Sequence, residues 1–587
     1  MISFKHFGIA AILPILISCG GGGGGSTPAA PAPSGSTPTT SPAATCGACS
    51  TPIRLDGTVT QITGADLTQA SGGVLVVSDP SSELSGTSVT IPAGSLPDDR
   101  TITVSSVSNS GLVPANVLVT EIGPSGTQLD PTQPASIMIK YDPQYLIDNN
   151  ITIADLSTLK VVSFDDDVAA ETLAQLDIDT TNFLVTAETT HFSYFAVLGY
   201  SNASLKGYYR VVGYNYNRND SPQLAPAVGA ALPSPKGFES DQLTVNFDGN
   251  GKWTSYDESQ NDDGVVTKVP AGNLPSGSYA VLPDGTFTLT VTTNGSGAYT
   301  GQVLAGGSNF VLAQLTPGDD PGIVVGIQRI DRSYSNASLD GDYSCVGLYA
   351  DSSAAQGPAP AVGSPLPALK GFSSNSQCSV TFDGLGNYTG TTTDSHDGGL
   401  YFNQNFSGTY SVAGDGTVSF TPTGESVAEI DGQLLAGGSS LIASATGGND
   451  PEVELFIQQQ PGAYSLASLK GKYTVVDYGY DHTTLQEPMP SPGAILPAPN
   501  GFQSTVVIMD FDGLGNFTAS GTVNEDGMIG PISNGTTGNY AINGDGSVDL
   551  TSAGLKLSGQ MLRNGSMFIL GTNAVGEMSQ IAVGLIR

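Results

Sequence analysis

Cysteine is the residue type whose chemistry can be assigned most directly in this chain. The 587 residues include five cysteines, at positions 19, 46, 49, 345 and 378. A Cys-x-x-Cys motif acts as a redox centre when it joins a strand to a helix. Cys46-Gly-Ala-Cys49, however, is flanked by Gly, Ser, Thr, Pro and Ala. We therefore predict a local disulfide between Cys46 and Cys49, which an oxidising compartment permits.

Cys345 and Cys378 form the second pair. Cys345 is in phase with Tyr343 and Cys378 with Phe382, so each cysteine shares the buried face of its own strand. Neighbouring strands that face one interior place their Cβ atoms within reach of a disulfide. We predict that Cys345 and Cys378 are bonded.

Side chains for acid–base catalysis are scarce. Beyond the first residues, the histidines are His191, His396 and His482, and none recurs in the repeats described below. We find no Gly-x-Ser-x-Gly elbow, zinc-ligand spacing or phosphate loop. Asp-Gly-x-Gly loops carry oxygen ligands suited to calcium, but Asp-Gly between alternating strands is a strong hairpin signal. We predict hairpin turns at these loops, no metal, no cofactor and no enzymatic activity.

The composition points to an acidic all-β protein. There are 53 Asp and Glu against 19 Lys and Arg, a formal net charge of −34. This balance excludes nucleic acid as a partner, because no basic patch is available for phosphates. The 76 Gly and 37 Pro predict many short strands joined by tight turns, and the length predicts several domains.

The N-terminal residues have the pattern of a secretory signal. Lys5 precedes an apolar run, residues 7–17, that is too short to span a bilayer. The run ends in Leu16-Ile17-Ser18-Cys19, which resembles the lipobox of bacterial lipoproteins. The resemblance implies a signal peptide at 1–18, a diacylglycerol on Cys19, an acylated amino group and a membrane anchor. An ordinary signal peptide that ends near a cysteine is the alternative.

The residues after Cys19 predict the location and a tether. Gly20, rather than Asp, follows the cysteine. In a Gram-negative cell, the resemblance to bacterial lipoproteins therefore implies the outer membrane, on its periplasmic or surface face, over retention in the inner membrane. Residues 19–50 are almost entirely Gly, Ser, Thr, Pro and Ala. Such a segment cannot bury a core, so we predict a disordered linker.

Residues 53–198 predict a β-sandwich. Strands with period-two alternation include Ser88-Val89-Thr90-Ile91, which continues into Pro92-Ala93-Gly94-Ser95-Leu96. The unit closes with His191-Phe192-Ser193. This order resembles the ZU-five-like β-sandwich found in ankyrins, death-domain proteins and bacterial surface proteins.

His191-Phe192-Ser193 also resembles the site at which some ZU-five-like domains cut their own backbone. The resemblance implies that Ser193 attacks the carbonyl of Phe192 while His191 aids proton transfer. In the alternative, which we favour, Phe192 and Phe195 fill the sandwich core and His191 only forms hydrogen bonds.

The remainder of the chain is a threefold repeat with a period of about 130 residues, which is too long for a solenoid. The opening Ala-Ser-Leu-x-Gly-x-Tyr has its glycine at Gly207, Gly341 and Gly471. Later motifs recur in the same order: Phe-Asp-Gly-x-Gly from Phe247, Phe382 and Phe511, and Gly-Gln at Gln302, Gln433 and Gln560. We predict three whole domains, at residues 199–331, 332–462 and 463–587.

Each copy predicts eight strands. In the first copy Phe287, Leu289 and Val291 alternate with threonines, which indicates one buried and one wet face. An eight-stranded up-and-down barrel satisfies this pattern without exposed edges. The opening Gly-x-Tyr resembles the Gly-x-Trp start of lipocalin-like barrels. We therefore predict one β-sandwich and three tandem eight-stranded barrels behind a disordered tether.

Two functions remain open at this point. The first is a non-catalytic cell-envelope lipoprotein that displays its domains for structural or adhesive contacts with a surface protein or glycan. The second is lipocalin-like binding of small apolar ligands by the barrels, which requires a cavity above about 300 Å³ inside a barrel. The long loop after each first strand ends in a Gly-Phe pair, at Phe238, Phe372 and Phe502. It serves either as a lid plugged by the Phe or, as we favour, as a cap on the core.

Overall fold

The structure is a computed structural model. It describes residues 58–587 except 109–116, 131, 150, 153–155, 157, 166–167, 174, 219–221, 294–296, 305, 331–332, 352, 398, 425–429, 436, 446–449, 461–463, 553–554, 563–564 and 575–577. The predicted signal peptide, lipid anchor and tether lie outside the described residues. The rest of the predicted fold class is confirmed, because the described chain forms a β-sandwich and three closed antiparallel barrels.

The sandwich consists of two antiparallel sheets, in the order β1-β4-β5-β11-β7-β8 and β2-β3-β6-β10-β9. Its strands are β1 (Val59–Leu67), β2 (Gly73–Val76), β3 (Ser88–Ile91), β4 (Arg100–Val107), β5 (Val119–Gly123), β6 (Ala135–Lys140), β7 (Lys160–Asp165), β8 (Val168–Leu173), β9 (Gln175–Asp179), β10 (Leu184–Thr189) and β11 (Tyr194–Leu198). Alternation decides the packing: in β6 Ala135, Ile137 and Ile139 are buried and the residues between them are partly exposed.

A short helix, α1 (Pro143–Asp148), lies between β6 and β7 of the sandwich. Asp142 caps it by accepting a hydrogen bond of 2.8 Å from the backbone N–H of Gln144. The buried Tyr145 hydroxyl accepts from the N–H of Gly199 at 2.9 Å. The helix therefore holds the residue just before the first barrel.

Barrel 1 contains β12 to β20, and β13 pairs with β14 to close it. The strands are β12 (Lys206–Tyr216), β13 (Phe238–Asp248), β14 (Lys252–Asp262), β15 (Val265–Lys268), β16 (Ser276–Val281), β17 (Thr286–Thr293), β18 (Gly297–Val303), β19 (Asn309–Gln314) and β20 (Gly322–Gln328). Short 3-10 helices lie at Asn202–Ser204 and Ala271–Asn273. The second of these separates β15 from β16, which together occupy the place of one long strand in the other barrels.

Barrels 2 and 3 close with eight strands each. Barrel 2 follows the 3-10 helix Asn336–Ser338 and contains β21 (Asp340–Ala350), β22 (Phe372–Asp383), β23 (Asn387–His396), β24 (Gly399–Val412), β25 (Thr417–Pro422), β26 (Ile430–Leu434), β27 (Ser440–Ala445) and β28 (Glu452–Gln458). Barrel 3 follows the 3-10 helix Leu466–Ser468 and contains β29 (Lys470–Tyr480), β30 (Phe502–Asp512), β31 (Asn516–Glu525), β32 (Met528–Ile542), β33 (Ser547–Ser552), β34 (Leu555–Met561), β35 (Met567–Thr572) and β36 (Ser579–Ile586).

The repeated Gly-x-Tyr motif builds the same interior in each barrel. Tyr209, Tyr343 and Tyr473 are buried, and each donates a hydrogen bond of 2.6 Å to a loop carbonyl between the sixth and seventh strands of its barrel. Each ring packs edge-on against the phenylalanine of the Phe-Asp-Gly turn, for example Tyr209 on Phe247 with centroids 5.3 Å apart. Aromatic packing thus fills this end of every barrel.

The Asp-Gly-x-Gly segments are hairpin turns, as predicted. In barrel 2 the Asp383 carboxylate accepts hydrogen bonds of 2.8 Å from the backbone N–H groups of Leu385 and Asn387. Together with the Asn387 side chain, which is the largest cause, these donors lower the pKa of Asp383 to about 2. Within the described ranges, no group of three or more His, Cys, Asp or Glu side chains is arranged to hold a metal ion.

The three barrels form a closed ring rather than a row. The first two strands of barrel 1 pack on β27 and β28 of barrel 2, β22 of barrel 2 packs on β34 to β36 of barrel 3, and β29 and β30 of barrel 3 pack on β18 to β20 of barrel 1. Each barrel therefore contacts its two neighbours through two different surfaces. The rotation that relates one barrel to the next closes the ring after three copies.

The repeated Gly-Gln motif binds a hairpin turn within each barrel. Gln302, Gln433 and Gln560 are buried, and each donates through Nε2 to the carbonyl of the Asp in its own Asp-Gly turn, at 3.2, 3.2 and 2.9 Å. The preceding glycine allows close approach of the neighbouring strand, since a Cβ on Gly301 would collide with the carbonyl oxygen of Val311.

Among the residues that the structure describes, ion pairs link the ring at two of its three junctions. Arg329, just after barrel 1, contacts Asp415 of barrel 2 at 2.7 Å, and Arg587 after barrel 3 contacts Asp284 of barrel 1. Gln459 occupies the matching position after barrel 2 and donates to Ser344 Oγ at 2.8 Å. In the part of the chain that the structure covers, no helix is long and apolar enough to cross a membrane.

Candidate functional site

The three long loops of the barrels form one structure at an end of the ring. We call loops 217–237, 351–371 and 481–501 together the cap. They pair in a cycle through isolated bridges between Leu224 and Ile495, Ala231 and Pro358, and Pro365 and Pro488. Backbone hydrogen bonds of 2.7 to 3.0 Å support the bridges, including Ala359 N–H to the carbonyl of Ala230 and Gly229 N–H to that of Ala359. The cap is therefore a shared element of all three barrels.

The phenylalanines that end these loops do not plug the barrels. Phe238, Phe372 and Phe502 are fully buried and pack on one another, with ring centroids 5.6 to 6.1 Å apart. They point out of their barrels into the centre of the ring, because their side-chain phase is opposite to that of the interior residues such as Phe247. The idea of a separate lid on each barrel is wrong, and the loops instead cover the core between barrels.

A pocket of about 370 Å³ lies between the cap and the barrels. All three loops contribute leucines and prolines to its wall, among them Leu232, Leu366 and Leu496. The loop glutamines Gln356 and Gln486 also line it. Each binds the backbone across its own loop, Gln356 at Lys370 and Gln486 at Asn500, with distances of 2.7 to 2.9 Å. This wall is held by hydrogen bonds that span each loop.

The outer surface of the cap presents aliphatic side chains to solvent. Val228 and Val362, which occupy matching places in the repeated Ala-Pro-Ala-Val-Gly, are 54% and 51% exposed. Leu224 and Ile495, which form one of the bridges, are 62% and 63% exposed. Clustered exposed apolar residues on a folded protein are typical of interaction sites.

Barrel 1 contains a second cavity, of about 330 Å³, at the end nearest the cap. Its wall includes Glu239 and Asp241 of β13. Ser240 and Gln242, which alternate with these two residues, bind barrel 2. Ser240 Oγ accepts from Glu452 N–H at 3.3 Å, and Gln242 Nε2 donates to the carbonyl of Asp431 at 2.8 Å. Because successive side chains of a strand point to opposite faces, Glu239 and Asp241 face the barrel interior. The cavity volume passes the threshold set for a ligand-binding barrel, but its wall is acidic rather than apolar.

Most side chains of this wall are polar, and several of them bind one another. Asn215 and Asn217 donate to Glu239 at 3.2 and 3.4 Å, and Gln314 Nε2 donates to Asp319 at 2.8 Å. Burial is the main cause that raises the pKa of Asp241 well above its ordinary value, and the nearby Glu239, Glu258 and Asp262 raise it further. Sequence analysis missed this site, although Glu239 and Asp241 continue the alternation of Leu243, Val245 and Phe247.

Cys345 and Cys378 form a disulfide in barrel 2. They are directly opposite each other on β21 and β22, with Cα atoms 4.9 Å apart. The matching pairs are Val211 with Leu243 in barrel 1 and Val475 with Val507 in barrel 3. Cys19, Cys46 and Cys49 lie outside the described residues.

His191, Phe192 and Ser193 lie just before β11. Phe192 is fully buried, and its carbonyl accepts a hydrogen bond of 2.8 Å from Gly126 N–H. The buried Ser193 hydroxyl donates to the carbonyl of Phe164 at 2.5 Å, across the sheet. The hydroxyl is therefore engaged with another strand instead of the Phe192 carbonyl. The His191 ring lies near Phe195, with centroids 6.3 Å apart.

No protein-family model matches the sequence, and no curated protein matches it. Among solved structures, transferrin binding protein B from serogroup B Neisseria meningitidis is 11% identical over 76% of this chain and 91% of that chain, with a TM-score of 0.18. A double mutant of the same protein from Haemophilus parasuis Hp5 is 9% identical over 81% and 96%, with a TM-score of 0.19. The chain is thus similar to transferrin binding protein B structures at low identity, and the TM-scores are too low for whole chains to superpose.

Proposed function

We propose that the chain is a non-catalytic lipoprotein of the cell envelope that holds a rigid three-barrel ring away from the membrane and binds a protein through the cap. The observation that carries this proposal is the cap itself. Three loops from separate barrels are bonded into one surface, and that surface exposes aliphatic side chains. A single flexible loop loses entropy on binding, whereas a pre-organised surface avoids much of this loss.

The membrane attachment in this proposal rests on the lipobox-like Leu16-Ile17-Ser18-Cys19. The linker at 19–50 would separate the ring from the lipid by a distance on the order of 30 Å, from random-coil scaling. The exposed cap residues favour a protein over a glycan, because Val228, Val362 and Ile495 offer apolar area and no hydrogen-bonding groups. The formal net charge of −34 favours a partner that is not itself acidic.

Site-specific photo-crosslinking in whole cells tests this proposal. A photoreactive residue at Val228 should capture a discrete protein, and the cap variant V228D/V362D should lose that product. Leu385 is the matched control, because it is 82% exposed on the turn between β22 and β23, at the opposite end of barrel 2 from the cap. Equal capture from both positions, or no capture from Val228, would contradict a binding role for the cap.

The pocket under the cap supports a second candidate function, binding of a small apolar ligand. Aromatic side chains fill one end of each barrel, so a small apolar ligand is better accommodated by the pocket under the cap. Its volume of about 370 Å³ and its leucine and proline side chains suit such a ligand. Native mass spectrometry of the purified protein tests it: an added mass that organic solvent removes supports a ligand. A single unmodified protein mass from several expression hosts would contradict it.

A further inference from the structure

Two buried oxygen atoms of barrel 1 have no hydrogen-bond partner among the residues that the structure describes. Asp241 Oδ1 is buried and has no hydrogen-bond partner, and Gln314 Oε1 is in the same condition. Both side chains line the 330 Å³ cavity, and Gln314 is only 6% exposed. A buried acceptor without a donor costs about 1–3 kcal/mol, so both atoms would gain from a donor placed in the cavity.

The charges around these two atoms have a single sign. Glu239, Asp241, Asp319 and Asp320 all line the cavity, and none of its described lining residues is Lys or Arg. Arg218 donates its backbone N–H to Asp320 at 2.8 Å, but its side chain turns toward barrel 3, where it contacts Asn500 at 2.8 Å and Asp526 at 3.5 Å. The cavity therefore attracts cations and supplies none of its own.

Among the described residues of the three copies, barrel 1 alone has carboxylates at these two positions of the second strand. The positions that match Glu239 and Asp241 are Ser373 and Asn375 in barrel 2, and Gln503 and Thr505 in barrel 3, all of them uncharged. The aromatic end of the barrel, by contrast, is the same in every copy. Barrels 2 and 3 bury other carboxylates, among them Glu452, Glu454 and Asp477, so barrel 1 is distinguished by the pair at Glu239 and Asp241.

We propose that this cavity binds a linear aliphatic polyamine, with its ammonium groups on Asp241, Gln314 and the surrounding carboxylates. The site is separate from the cap and goes beyond the protein-binding role proposed above. A polyamine fits better than a metal ion because the carboxylates are spread along the wall, and no three acidic groups of the described chain converge on one point. The cavity is also much larger than one ion requires.

The remaining wall suits the carbon chain of a polyamine. Tyr299 and Val324 also line the cavity. The phenol ring of Tyr299 can face an ammonium group as a cation–π partner, and Val324 offers apolar contact to methylene groups. Bound ammonium would also favour the charged form of Asp241, whose pKa is raised by burial and by Glu239, Glu258 and Asp262. Binding should therefore release a proton to the buffer.

Isothermal titration calorimetry of the full chain with spermidine tests the site. We expect one saturable site, an affinity that falls with ionic strength, and a heat that changes with the ionisation enthalpy of the buffer. The double variant E239Q/D241N should bind at least tenfold more weakly. The amides of Gln and Asn have nearly the same shape as the carboxylates that they replace, so the variant should keep its fold, which circular dichroism would verify. The matched control D177N/E188Q removes two exposed charges from the sandwich and should bind like the unaltered chain.

Three results would overturn the proposal. The first is the absence of a saturable heat with spermidine, and the second is an unchanged affinity in E239Q/D241N. The third is displacement of spermidine by an equimolar amount of CaCl2, which would identify a metal site. A neutral diol of similar length should give no heat. None of these results depends on the cap, so the protein-binding proposal can fail or succeed independently.

Discussion

Thr474 of barrel 3 donates a hydrogen bond of 2.8 Å to Gln302 of barrel 1, although 172 residues separate them in the chain. Barrel 2 makes the equivalent contact with barrel 3, where Ser344 donates to Gln560 at 3.2 Å. In both cases the Nε2 atom of the glutamine donates to the hairpin turn of its own barrel, and its Oε1 atom accepts from the neighbouring barrel. The glutamines of barrels 1 and 3 thus stabilise the barrel and the ring together, whereas Oε1 of Gln433 in barrel 2 has no hydrogen-bond partner among the described residues.

Replacement of Gln302 by alanine should destabilise the ring. The variant leaves the Thr474 hydroxyl and the carbonyls of Asp284 and Val303 buried without this partner, which costs about 1–3 kcal/mol. Urea unfolding measures the change. Q328A is the control, because Gln328 makes a comparable bond in an exposed place and should cost less than about 0.5 kcal/mol. Equal effects of Q302A and Q328A would contradict the assigned role.

Removal of the disulfide in barrel 2 should lower its stability. Cys345 and Cys378 are 33 residues apart, and closing a loop of that size contributes about 3–4 kcal/mol. The variant C345V/C378V should lose this amount but keep its packing, because barrel 3 has valines at the matching positions. C345S/C378S should lose more, since it buries hydroxyl groups. Alkylation of the non-reduced native protein should detect no free thiol at either position.

The sandwich should remain uncut. The Ser193 hydroxyl is bonded to the Phe164 carbonyl, so a denaturing gel of the mature protein should show one full-length band. S193A should give the same band and a loss of about 1 kcal/mol in the free energy of unfolding. Two fragments that disappear in S193A would instead demonstrate self-cleavage between Phe192 and Ser193.

Barrel 3 should become less stable as the pH rises through about 6. Burial raises the pKa of Asp477 from its ordinary 3.8 to about 6, against the lowering effect of the Thr505 hydroxyl. The native state therefore holds a proton that the unfolded chain releases, and this contribution is complete below pH 3.8 and lost above about pH 6.

D477N removes this proton dependence. Relative to the unaltered chain, the variant should gain on the order of 3 kcal/mol at pH 7 and nothing near pH 4, by urea unfolding. Asp394 in barrel 2, whose pKa burial also raises to about 6, should behave alike in D394N. D177N, at an exposed position of the sandwich, should show no such difference.

Cys19 should carry the lipid. The variant C19S should lack the acyl mass and appear in the aqueous phase of a detergent partition, while the unaltered protein enters the detergent phase. A mature N-terminus elsewhere, with no added lipid mass, would contradict the lipobox assignment.

Local patterns predicted the individual barrels well. The alternation of Phe287, Leu289 and Val291 indicated one interior face, and the recurring Gly-x-Tyr marked the first strand of each copy. These features depend on contacts between adjacent strands. The two-residue alternation of side chains along each strand largely determines such contacts. Two local features of barrel 1 were not predicted: β15 is an additional strand, and β13 already begins at Phe238, although Glu239 and Asp241 interrupt its apolar character.

The ring could not be predicted in this way. Ser240 and Gln242 have the polarity of a wet face, yet both are buried against barrel 2, because their hydrogen-bond partners come from a different domain. A weaker signal was present in β36, whose eight residues are all buried. Its nearly continuous apolar run is typical of strands covered on both sides. The cavity in barrel 1 was missed for a related reason, since carboxylates seldom line a barrel interior.

Covalent linkage of the three barrels has a consequence for how they diverge. Three identical barrels on separate chains would assemble only above some concentration, and every substitution would appear in all of them at once. In one chain the neighbours are always present, and each barrel can change alone. Barrel 1 has acquired carboxylates and barrel 2 a disulfide, while barrel 3 has neither at the matching positions. The surfaces that contact the other barrels must remain complementary, whereas the side chains inside each barrel can differ from copy to copy.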